Sequence, residues 1–237
     1  MRRYWSVILL SARGVGGKLL ALLAGLTAVE AALVGGLGLQ WGILHLVLDS
    51  SHLLLVFRAA LVILAAICCL WGSDVRGGRC RYTLGRLRMN EWTTAVLWGL
   101  CYTLAFLALM GFQLLLILAA CWWAMEANGG AAGPQALFLA SFQNPLFHGL
   151  LPLEDWGGYV RNVLYALSMG MCCSVWSFWN RRQGGGWVLY FVTALVVFTF
   201  PMGIGGTLDG FFLGGLAMII TAAGMYFVWQ EVHHGED

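Results

Sequence analysis

Charge is nearly absent from six long stretches of this chain and gathers in the connections between them. The first apolar run goes from Leu19 to about Leu39 and contains a single acid, Glu30. As a helix rising about 1.5 Å per residue it is long enough to cross a hydrocarbon layer of roughly 30 Å. The second, Leu53 to about Gly72, carries Arg58 in its second turn. The third, Trp92 to Met125, has no charge and exceeds the bilayer thickness, so its helix must tilt or protrude. Asn162 to Trp179, Trp187 to Phe200 (closed by Pro201) and Gly210 to Trp229 are the fourth, fifth and sixth. The pattern predicts an all-α, polytopic integral membrane protein: one transmembrane domain over residues 1–237, six transmembrane helices, both termini cytoplasmic.

The connections have distinct characters. Residues 1–18, MRRYWSVILLSARGVGGK, predict an interfacial N-terminal helix with Tyr4 and Trp5 at headgroup level. The apolar run Val7–Leu10 is too short for the core of a signal peptide. Gly16-Gly17-Lys18 is not a phosphate-binding loop, because Leu19 stands where Ser or Thr is needed and no strand precedes it. Residues 126–159 form the longest connection, an outer loop in which Ala136 to Phe142 predicts a short interfacial or re-entrant helix broken at Asn144-Pro145.

Charge fixes the orientation. With both ends inside, eleven of the thirteen Lys and Arg face the cytoplasm, leaving only Arg58 and Arg161 toward the outer side. Five of them, Arg76, Arg79, Arg81, Arg86 and Arg88, fall within residues 73–92. The second half of that stretch, Tyr82 to Glu91, contains no Pro and places Leu84 and Leu87 on one helical face, with Arg86 and Arg88 pointing elsewhere. This predicts a short helix at the inner membrane surface; the plainer alternative is that its arginines only set topology.

Composition agrees with a lipid environment: 60% of residues are apolar and 10% charged, against about a quarter charged in soluble domains. The seven Cys form no C-x-x-C, so they read as small packing residues rather than a disulfide frame or a metal site. The pair His233-His234 reads as a hydrated tail before a metal site. Glu30 is the one acid well inside a span, and intramembrane carboxylates are expensive. It belongs to a polar path, pairs with Arg58, hydrogen-bonds a neighbouring helix, or stays protonated. No serine has a nearby base or a G-x-S-x-G setting, so hydrolysis has no support. Small residues at four-residue spacing (Ala32 and Gly36; Ala166, Gly170 and Ser174; Gly210 and Gly214) suit close helix packing, within one copy or between two.

The interfacial N-terminal segment, the six runs with both ends inside, and the run Tyr82-Thr83-Leu84-Gly85-Arg86-Leu87 after the second span together resemble the permease subunit of a bacterial type-2 ATP-binding-cassette (ABC) exporter. Many members carry their large outer element between spans five and six; here it falls between three and four. The resemblance implies a chain without catalysis or cofactor of its own. A separate cytoplasmic ABC ATPase would bind ATP and Mg and contact Tyr82, Leu84, Arg86, Leu87, Arg88 and Glu91. A second permease copy, or a related one, would complete a path through the bacterial plasma membrane for a hydrophobic or amphipathic substrate; no nucleic acid is implied. A stand-alone secondary carrier is the alternative, with spans one to three and four to six as an inverted repeat.

Overall fold

The structure is a computed structural model that describes residues 2–41, 52–72, 90–127, 135, 144–152, 155–181, 187–200 and 207–234. Those residues form seven helices and no strand: α1 (Arg2–Trp41), α2 (His52–Gly72), α3 (Glu91–Ala127), α4 (Pro145–Leu150), α5 (Trp156–Arg181), α6 (Trp187–Thr199) and α7 (Thr207–His234). Each of the six apolar runs lies in a helix of its own. Four stretches are long and apolar enough to cross a membrane: Tyr4–Gly35, His52–Trp71, Glu91–Trp123 and Leu208–Val232. The fourth run, in α5, is long enough but more polar. The fifth is a helix of 13 residues, about 20 Å long at the standard rise and short of a bilayer core.

The break expected between an N-terminal element and the first span is absent. α1 runs unbroken for 40 residues, because neither Gly16-Gly17 nor Lys18 prevents helical backbone and one stripe is packed throughout. Val7, Ser11 and Val15 recur every fourth residue and are buried. A Cβ on Gly14 would lie inside the Trp71 indole, so glycine is what lets that ring press against α1. Trp71 in turn meets Trp98 of α3, with ring centroids 5.3 Å apart.

α5 is the hub, packing most extensively on α3 and α7 and also on α2, α4 and α6. It is the least apolar of the long helices, yet Arg161, Asn162, Ser168, Ser174 and Ser177 are all buried on it. Meanwhile Leu55, Leu104, Leu115, Trp122, Phe198 and Phe212 stand exposed on other helices. Apolar outside and small or polar at helix contacts is the distribution a bilayer favours, since lipid gives no hydrophobic reason to bury leucine. Two of the small-residue rows are used within the chain. A Cβ on Gly170 would come within 2.5 Å of the Thr103 amide nitrogen, and Ser174 Oγ donates to the Ala95 carbonyl at 2.6 Å, so α5 and α3 meet backbone to backbone. A Cβ on Gly210 would fall 2.6 Å from the Gly157 carbonyl oxygen, making the same close approach between α7 and α5.

The Asn144-Pro145 pair starts a helix, α4. Asn144 Oδ1 accepts from the amides of Leu146 and Phe147 at 2.8 and 3.1 Å, and Pro145 occupies the first helical turn, where its missing N–H costs nothing. The helix expected over Ala136–Phe142 lies outside the described residues.

Candidate functional site

Of the residues expected to contact an ATPase, Tyr82, Leu84, Arg86, Leu87 and Arg88 lie outside the described residues. Glu91 is exposed in the first turn of α3, where a carboxylate complements the helix dipole. Asn90 caps that helix: its Oδ1 accepts from the Trp92 amide at 2.9 Å. The end of the bundle around this cap is tightly built. Trp92 packs on the cluster of Val175 and Phe178 of α5 and Val228 of α7, joined by Val232. The start of α3 thus meets the last turns of α5 and α7.

Glu30 does not pair with Arg58. It is 3% exposed and accepts a hydrogen bond from Gln113 Nε2 of α3 at 2.6 Å. Of the roles open to it in the sequence, the structure supplies the bond to a neighbouring helix. Gln113 is itself fully buried, and its Oε1 has no partner among the described residues. The sequence signal for Gln113 was there: it is the only amide side chain between Trp92 and Met125.

Arg58 goes elsewhere, donating through Nη2 and Nε to the carbonyl of Phe200 at 2.7 and 3.2 Å. Arg161 lies over the ring of the same Phe200, its guanidinium carbon 5.8 Å from the centroid, and donates to the Gly149 carbonyl at 3.4 Å. Asn162 Nδ2 donates to the carbonyls of Gly149 and Leu150 at 2.8 and 3.2 Å. The two cations assigned to the outer side thus meet around one residue, and with Asn162 they fasten the ends of α6 and α4 to the bundle. Both bind backbone carbonyls, which suits latching more than chemistry.

Two cavities open between helices of the bundle. One of about 510 Å³ lies between α2 and α6, with Val62, Ala66, Leu70 and Val197 on its walls and Trp176 of α5 also lining it. Another of about 280 Å³ lies between α1 and α3 beside Ser11, Val15 and Tyr102. Glu30 lines neither of these two. Cys68, Cys69, Cys172 and Cys173 are buried, with Cys173 Sγ 3.8 Å from the Ala65 carbonyl of α2 and Cys172 Sγ 3.4 Å from Thr221 Oγ1 of α7. Among the described residues no three His, Cys, Asp or Glu converge on a point where a metal could sit.

The fold and site together define an all-helical protein whose apolar helices fit a membrane. No protein-family model, curated protein or solved structure matches the chain.

Proposed function

We propose that this chain is the membrane-spanning subunit of an ATP-driven exporter of the ABC type, with six membrane-crossing helices and both termini in the bacterial cytoplasm. A separate ATPase docks on residues 82–91, and two permeases enclose the path of a hydrophobic or amphipathic substrate. The observation that carries this reading is what flanks the arginine-rich segment in the chain. It is bracketed by α2 and by the capped start of α3, which packs directly on the hub α5 and on α7. A push on that segment would act at once on the helix ends that hold the core together. The apolar cavity between α2 and α6 suits an apolar cargo. Co-purification with an ABC ATPase, and stimulation of that ATPase by the wild-type chain but not by Leu87→Asp, is the test. A Leu87→Asp chain that inserts normally and still recruits and stimulates the ATPase would remove the reading.

One observation favours the carrier as the second reading. The halves share a long–short–long pattern, 40, 21 and 37 residues in α1 to α3 and 26, 13 and 28 in α5 to α7. In each half the outer two helices pack on one another and on the middle one. Transport by the purified chain alone in liposomes, driven by an ion gradient and without ATP, would select this reading.

A further inference from the structure

The contact between Glu30 and Gln113 is short of one hydrogen. As placed, Gln113 Nε2 donates to Glu30 Oε1 at 2.6 Å, and Gln113 Oε1 is left buried with no donor among the described residues. Turning the amide by half a revolution exchanges its oxygen and nitrogen, and does not remove the deficit. It would set Gln113 Oε1 2.6 Å from a carboxyl oxygen, and two acceptors approach that closely only with a hydrogen between them. In the first orientation an orphan acceptor needs a hydrogen; in the second the contact itself does. A carboxylate offers none in either case.

The charged neighbours do not supply it. α1 packs on α3 and α2. On α1 the nearest cations are Lys18 and Arg13, more than about three turns away. On α3 the carboxylates Glu91 and Glu126 lie at the two ends, and Cys121 is the nearest titratable side chain, about two turns from Gln113. On α2 stand His52, exposed at the first residue, Arg58, committed to the Phe200 carbonyl, and the buried thiols Cys68 and Cys69. Glu30 has no ion pair among the described residues.

We infer that Glu30 and Gln113 form a proton-binding site: Glu30 is a neutral carboxylic acid in the folded protein, its O–H serving Gln113 Oε1 while Gln113 Nε2 serves the carboxyl. The acid–amide pair then satisfies both side chains with no net charge in the apolar interior, where a bare carboxylate would be costly. It joins α1 to α3 by a contact that opens only if the proton leaves or another donor replaces it. This inference does not depend on the exporter reading, because its test contains no ATPase and no transport.

The test is infrared difference spectroscopy on the purified full chain, wild type minus Glu30→Gln, in sodium-free buffer at neutral pH. The expected result is a protonated-carboxyl C=O band in the wild type, absent from Glu30→Gln and shifted in deuterium oxide. Gln113→Leu should move that band toward the position of an acid without a hydrogen-bond acceptor. If that variant does not fold, the Glu30→Gln difference still decides. A difference spectrum showing only carboxylate bands overturns the inference.

Discussion

Arg58 of α2 holds the backbone carbonyl of Phe200, just past the last turn of α6, with two donors of one guanidinium at 2.7 and 3.2 Å. The ring of Phe57, one position earlier, meets the ring of Phe200 with centroids 5.4 Å apart. Neighbouring side chains on α2 thus grip the main chain and the side chain of one residue, and a cation sits where the helix dipole is negative. A 13-residue helix gains much from such an anchor.

Arg58→Ala should therefore destabilise the protein by about 1.5–3 kcal/mol, the range for a hydrogen bond from a charged donor. Arg58→Lys should recover only part of it, since an ammonium keeps the charge without the two-donor fork. Thermal unfolding in detergent would read the difference. Full recovery by lysine would show that charge alone matters.

Gly170 and Gly16 should respond oppositely to the same change. Gly170→Ala puts a Cβ into the backbone of α3 and should cost about 1–3 kcal/mol, as overpacking does. Gly16 has nothing within 4 Å of its Cβ position, so Gly16→Ala should be neutral or stabilising by up to about 1 kcal/mol through helix propensity. Paired melting curves of the two variants are the measurement.

For the proposed topology, single cysteines placed at Gly78 and Gly185 on a cysteine-free background should resist a membrane-impermeant thiol reagent in intact cells. Cysteines at Gly130 and Gly205 should react. Labelling of position 78 from outside would reverse the orientation.

The proposed ATPase contact predicts two different responses. Leu87→Asp puts an acid into a contact meant to be apolar and should weaken ATPase binding by about 2 kcal/mol or more. Arg86→Glu, at its edge, should have a smaller effect that fades with added salt. Both variants should insert normally, because most inner-side cations remain. Affinity measured at two ionic strengths separates the two responses.

The sequence by itself determined where the helices are. Long apolar runs satisfy their backbone groups internally as helices, and each of the six lies in one. It also marked Glu30, since a lone acid in such a run stands out without any knowledge of its neighbours. What it could not supply was lateral: the choice of Gln113 over Arg58 depends on which faces of α1, α2 and α3 meet, and every face of these helices is apolar enough to meet another. The hub was hidden for the same reason: only packing shows that the small and polar residues of α5 make it the helix others approach most closely. The helix that starts at Asn144-Pro145 was also beyond the sequence, because it depends on the docking of Leu146, Phe147 and Leu150 into the core. The unbroken α1 is a tertiary outcome too. Two glycines and a lysine mark an end when a helix stands alone, but the stripe of Val7, Ser11, Val15 and Leu26 is buried on both sides of them, and that packing outweighs the local preference.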